Sequence, residues 1–233
     1  MSVRELCGYA PWYFGLALDA SYDGVWRHLM REDGFLAPWG LTFPERTAPG
    51  FEISYEGHDC LWNGPSWPYA TSLALSALAN RLQTGADIPD GLTASSFSFL
   101  LHQYAAAHVR VKPDGTEVAW IDEDQNPFTG DWIARTKLLR HKGYMRERGK
   151  DYNHSTFCDL VISGLCGFRP SRDGSLAPKP LAPAEWDWWC LDGVRYHGKD
   201  VTILFDRDGT RYGCGKGLVV LKNGRRNGDG QTE

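Results

Sequence analysis

Residues 69–82, YATSLALSALANRL, limit what this chain can become more than any other stretch. Their apolar residues run almost all the way round a 3.6-residue period, so as a helix the segment has no face to give to water and must be enclosed. Pro68 precedes it, where a proline's fixed φ suits the first turn and its missing N–H costs nothing. A buried helix over 68–82 is therefore predicted, and the 233 residues suffice to build a core around it.

The pattern stays helical to about Phe168. Ser21–Arg31 places Tyr22, Val25, Trp26 and Leu29 on one face, with Ser21 as a plausible N-cap. Thr93–Val111 directs Phe97, Leu100, Leu101, Tyr104 and Ala105 inward, and helices follow over Asp131–Arg148 and Asn153–Phe168, the last capped by Ser155. From Asp187 the segments WDWWCL, VRYHG and VTILF read as strands. Asp208-Gly209 and Asn223-Gly224 read as hairpin turns, and Tyr196-His197-Gly198 as turn structure. Two domains are expected, a helical one over 1–168 and a small β-rich one over 169–233 with a polar tail. Helices joined alternately by short turns and long aromatic loops predict a mainly α fold of stacked helical hairpins, with the long loops gathered at one end.

A formal net charge of -4 argues against a nucleic-acid binder, which would need a basic stripe. The Arg135–Lys150 cluster of basic residues reads as a solvated helix face. Cysteines 7, 60, 158, 166, 190 and 214 form no C-x-x-C pair and no zinc spacing, so free, buried thiols are expected, with no metal and no cofactor. Neither a signal peptide nor an apolar run of about 20 residues is evident, so a soluble, cytoplasmic chain without a membrane partner is expected.

Ten tryptophans are too many for core packing to account for all of them. LWNGPSWPYATS (61–72) sets two beside prolines just ahead of the buried helix. Trp39, Trp62, Trp67, Trp120 and Trp132 all lie in or beside loops, flanked by Glu45, Arg46, His58, Asp59, Asn63, Asp122, Glu123 and Asn126. Flat indoles with a polar rim suit a sugar, whose axial C–H groups lie on an aromatic face while its hydroxyls need hydrogen-bonding partners. Asp122-Glu123-Asp124 is the richest titratable cluster. By composition alone it reads as a solvated turn. Trp120-Ile121 before it and Asn126-Pro127-Phe128-Thr129-Gly130 after it constrain the segment, so one of its acids is also a candidate base for activating water.

WNGPSWP (62–68) resembles the W-x-G-P-x-W-P segment of six-hairpin glycosidases, (α/α)6 toroids that include trehalases, the α-glucosidases of glycoside hydrolase family 63 and mannosylglycerate-hydrolase-like enzymes. IDEDQNPFTGDW (121–132) resembles their E-N-Y-x-P-x-T-G stretch, which carries the general base. The resemblance implies Glu123 as that base, with Asp124 and Gln125 in place of Asn-Tyr. GYAPWYF (8–14) and YNHSTFCDLVISGL (152–165) look like further toroid helices, and the β region resembles the small β-sandwich that follows the barrel. Trp39, Glu45, Asp59, Trp62, Asn63, Gly64, Trp67, Trp120, Asp122 and His154 are then the expected carbohydrate contacts. The family implies an inverting mechanism, with two carboxyl groups about 6.5–9.5 Å apart.

The family's acid, an Asp in a Ser-Gly-x-Asp-like segment of the earlier half, has no match here. Asp59 and Glu45 occupy the right kind of loop without matching the motif. The chain therefore resembles the C-terminal half of a larger enzyme and is expected to be inactive alone. It is also expected to associate with a missing N-terminal half or with itself through apolar residues such as Tyr9, Trp12 and Phe14. Two other readings stay open. One is a toroid polysaccharide lyase using Tyr152, Asn153 and His154; the other is a non-catalytic carbohydrate-binding or assembly module. Asn153-His154-Ser155 also forms a glycosylation sequon, read here as a helix cap. A Glu45–Arg46 ion pair at the cleft rim is a further expectation.

Overall fold

The expected central helix is present. In a computed structural model that describes residues 3–16, 19–58, 60–88, 91–141 and 156–226, helix α2 runs Pro68–Leu82, with Trp67 at its N-cap. Ala70, Ala74, Leu75, Ala77 and Leu78 are fully enclosed. It packs against α1 (Ala10–Tyr13), α3 (Ala94–Ala106) and α5 (Thr156–Asp159). Two buried polar links anchor α2. The Ser72 and Tyr104 hydroxyls meet at 3.1 Å, and Arg81 grips Asp23 through two bonds of 3.1 and 2.6 Å.

Several elements depart from expectation for local reasons. Residues Ala20–His28 form a 3₁₀ helix rather than an α-helix, and Asp19, not Ser21, caps it by accepting the Ser21 N–H. At three residues per turn Asp23, Trp26 and Leu29 align, so they are buried while Tyr22 and Val25 are exposed. Helix α3 stops at Ala106, and Ala105 faces outward. Its predicted last turn instead forms strand β3 (Val109–Val111), paired with β4 (Glu117–Ala119) across the Lys112-Pro113-Asp114-Gly115 turn. An earlier short hairpin joins β1 (Leu36–Ala37) to β2 (Gly40–Leu41). Helix α4 is described over Ile133–His141; the remainder of the expected 131–148 helix lies outside the described residues, as does Ser155. After α5 the chain winds into a π-helix at Leu160–Leu165. Tyr9 and Trp12, expected to face a partner, are buried against Trp26, whereas Phe14 is exposed.

The chain divides into two units, Met1–Leu160 and Val161–Glu233. The second holds one antiparallel sheet in the order β5 (Trp188–Tyr196), β6 (Lys199–Asp206), β7 (Gly217–Lys222), β8 (Arg225–Arg226). Among the described residues this is a single sheet rather than the two facing sheets of a sandwich. Cys166 and Phe168 pack on it against Trp189, Tyr196, Val201 and Ile203. His197-Gly198 and Asn223-Gly224 turn its hairpins with positive φ at both residues. Asp208-Gly209 does not form a tight turn. It lies in the long β6–β7 connection, which the buried Asp206 carboxylate holds by accepting the Gly209 and Tyr212 amides. The class is thus mixed, helices with short antiparallel sheets.

Candidate active site

The Trp-Pro loop and the acidic segment are joined by their backbones. Ser66 N donates to Gln125 O and Gln125 N donates to Ser66 O, each at 2.9 Å, an isolated antiparallel bridge. Gln125 bridges on its other side to Trp132, so it is paired both to the aromatic loop and to the start of α4. The chain bends at Glu123, which is half-buried, while Asp122 and Asp124 on either side of it are fully buried, as are Ile121, Gln125 and Asn126 nearby.

The three acids therefore have three different environments. Asp122 pairs with the buried Arg135 at 3.2 Å and accepts from the Trp120 indole N–H and the Glu123 amide. Burial still pushes its carboxyl upward against those contacts. Among the described residues it is enclosed in protein and paired with Arg135. Asp124 accepts the Ala134 amide at 3.2 Å, capping α4 from outside the helix, and among the described residues its second oxygen has no hydrogen-bond partner. Burial, reinforced by Glu123, pushes it up to about 7 despite Lys137 nearby. Glu123 has one oxygen on the Cys60 thiol at 3.0 Å. Among the described residues its other oxygen has no hydrogen-bond partner.

The raised Asp124 value carries a pH dependence of definite sign. An unfolded aspartate titrates near about 4, so between there and about 7 the folded chain binds the extra proton. Stability is then highest at the acid end of this window and falls as pH rises, by about 1.4 kcal/mol per pH unit. Asp124→Asn keeps the acceptor for Ala134 and removes the titration. It is expected to flatten that slope and to be the more stable form at pH 8, as urea unfolding at a series of pH values will show.

The five loop tryptophans divide. Trp67 and Trp132 are each 2% exposed, and Trp120 is buried with the Arg110 and Arg135 guanidinium groups 4.9 and 5.0 Å from its ring. Trp62 and Trp39 remain 40% and 41% exposed. Trp67 has the task of a support. Its ring stacks on Trp62 at 3.8 Å and 6°, while its N–H is tied to Leu61 O at 2.8 Å. Phe43 meets Trp62 edge-on at 4.8 Å. Trp39 lies on Gly130, whose φ is 78° and where any Cβ would come within 2.7 Å of the indole. The Trp39 backbone amide donates to Pro127 O, which ties β1–β2 to the end of the acidic segment.

Other expected contacts have structural duties. Glu45 is paired with Arg4, at 2.9 and 2.7 Å, rather than with Arg46, which binds Leu36 O and lies over Phe128. Asn63 donates to Gly50 O. At Gly64 a Cβ would fall 2.0 Å from Glu52 O, so no side chain fits there. Asn126 accepts from the Phe128 and Thr129 amides and donates to Tyr55 OH, closing the end of the segment. Asp59 and His154 lie outside the described residues, as do Tyr152 and Asn153.

Residues not anticipated as part of the site are Cys60, Ser66, Tyr55 and Lys137. Lys137 is buried and donates to the carbonyls of Glu56 and His58, holding the aromatic loop to α4. Buried Arg135 and Lys137 correct the reading of the basic cluster as a solvated face at these two positions; residues 142–150 lie outside the described residues. Two residues apart on a helix, the pair could not share one face, and that spacing was the available signal. None of the six cysteines is in a disulfide, and of them only Cys166 is buried. Among the described residues no group of His, Cys, Asp and Glu could hold a metal ion, and no helix is long and apolar enough to cross a membrane.

This arrangement offers a half-buried carboxylate with one open oxygen, on a segment bridged to a loop that presents a propped indole. A family model described as "Mannosylglycerate hydrolase MGH1-like glycoside hydrolase domain" matches residues 1–155. A solved structure titled "Sialidase" is 40% identical and superposes with a TM-score of 0.80, the match covering 97% of this chain. This chain spans 19% of the length of that one.

Proposed function

The chain belongs to the mannosylglycerate hydrolase MGH1-like glycoside hydrolase family, and from that premise we propose that it is the base-bearing part of an enzyme that hydrolyses O-glycosidic bonds, with Glu123 as general base. The observation that carries this reading is the Ser66–Gln125 bridge, which holds the base segment against the Trp62–Trp67 loop. The open oxygen of Glu123 takes a proton from water as the water attacks the anomeric carbon, and the leaving oxygen departs from the opposite face, inverting the centre. Trp62 supplies the face on which the sugar ring rests.

The acid that protonates the leaving group comes, in this reading, from outside these 233 residues. Helices α2 and α3 form one hairpin of an (α/α)6 toroid that a longer protein, a partner chain or a second copy completes. The exposed apolar side chains of Tyr13, Phe14 and Leu16 support this reading, as surface that such a completion would cover. The mannosylglycerate hydrolase-like family and the sialidase that the chain resembles make mannosylglycerate and sialosides the first substrates to try.

A base without its acid makes a sharp chemical prediction. A glycosyl fluoride needs no protonation to leave, whereas an alkyl glycoside does. The chain is expected to release fluoride from the matching glycosyl fluoride while leaving alkyl glycosides uncleaved. Fluoride-electrode traces no faster than the uncatalysed rate, across a panel of sugars, would remove the proposal. Trp62→Ala is expected to weaken sugar binding at least about tenfold, or about 1.4 kcal/mol, by calorimetry. The exposed, propped Trp62 also favours a second reading, a non-catalytic carbohydrate-binding module, which predicts the same binding loss with no fluoride release from any variant.

A further inference from the structure

We infer that Cys60 is a positioning residue for Glu123, its thiol fixing one carboxylate oxygen so that the other faces the reacting water. This rests on the reading of Glu123 as general base. The two residues are 63 positions apart, yet Sγ lies 3.0 Å from Oε2. Cys60 is itself held from both sides. Its amide donates to His58 Nδ1 at 3.1 Å, and the next carbonyl, Leu61 O, accepts the Trp67 indole N–H. Lys137 on α4 holds the carbonyls of Glu56 and His58. The thiol thus sits on a clamped loop, between the indole that props Trp62 and the helix that Asp124 caps.

The kind of donor matters. An ammonium or guanidinium on Glu123 would hold the carboxylate ionised and make it a poor base. The buried cations nearby are directed elsewhere, Arg135 to Asp122 and Lys137 to backbone carbonyls. A thiol is neutral and a weak donor, so it orients the group at little cost to its basicity. Its place within the Trp-Pro loop also means that whatever orders that loop around a sugar orders the base.

Two measurements on the full chain test this. In the first, the rate of iodoacetamide alkylation at Cys60 is followed by peptide mass spectrometry, with the exposed Cys158 and Cys190 as internal references. A neighbouring carboxylate suppresses the thiolate, so Glu123→Gln is expected to speed labelling at Cys60 about tenfold and leave both references unchanged. Equal rates at Cys60 would overturn the pairing. In the second, Cys60→Ala and Cys60→Ser are assayed for glycosyl fluoride turnover. The alanine variant is expected to lose about tenfold in kcat with KM unchanged, because the carboxylate is no longer held in place. The serine variant, which keeps a donor, should recover most of the rate. An alanine variant as fast as the wild type, or a serine variant no faster than the alanine one, sinks the role of Cys60 and leaves the base reading standing. A wild-type chain that turns over no fluoride sinks the base reading itself.

Discussion

Replacing Glu123 by glutamine is expected to cut glycosyl fluoride turnover about 10²–10⁴-fold, the range that loss of a positioned general base produces. The fold should not register the change. Glu123 is half-buried, forms no ion pair among the described residues, and keeps in Gln an acceptor for the Cys60 thiol. Sugar affinity should also survive, because the proposed ring platform is Trp62. The combination is diagnostic: kcat falls while Kd and the unfolding midpoint hold. The two neighbouring acids provide the contrast. Changing Asp122 or Asp124 should appear first in stability, since both are enclosed in protein.

Arg135→Met carries the largest expected effect on stability. Arg135 and Asp122 have side chains 1% exposed, at 3.2 Å from each other. Removing the cation leaves a buried carboxylate without its countercharge, a change that costs about 3–5 kcal/mol in comparable sites. The guanidinium also lies 5.0 Å from the Trp120 ring, and that contact goes with it. Asp122→Asn added to Arg135→Met should restore at least half of the loss. The amide oxygen can still accept from the Glu123 amide, at the cost of the Trp120 indole bond made by the other carboxylate oxygen, and no charge is left stranded. Urea unfolding of the two single variants and the double variant checks this. A double variant no more stable than Arg135→Met would mean that the cation's worth lies in its packing on Trp120.

Helix α2 was legible because an all-round apolar segment admits one environment. The Trp-Pro motif and the acidic triplet were legible as motifs, but their internal division of labour was not. LWNGPSWP gives no sign that Trp67 is buried and Trp62 exposed, because that follows from a stacking contact and an indole N–H bonded back to Leu61. The triplet reads as mutual repulsion among three neighbours. It resolves once the outer two acids are seen to be enclosed, Asp122 against Arg135 and Asp124 at the start of α4, with Glu123 half-buried between them. The segment is held in place by the Ser66 bridge, a contact between residues 59 positions apart in sequence that local patterning cannot report. The same limit applies to Ala20–His28, where a period of three rather than 3.6 moved the buried face from Val25 to Asp23. The end of α3 is a different case. Pro113-Asp114-Gly115 was present in the sequence as turn chemistry, and the apolar run beyond Ala106 masked it.

The central claim is that the indole of Trp62 and the carboxylate of Glu123 serve one ligand. An NMR titration with the sugar released from the best fluoride substrate, read at the Trp62 indole N–H and at the Glu123 side-chain carbonyl carbon, tests it most directly. Both signals are predicted to move along one binding curve with one Kd, and both responses should vanish in Trp62→Ala at the same sugar concentrations. A carbonyl carbon that stays still while the indole saturates would contradict the claim.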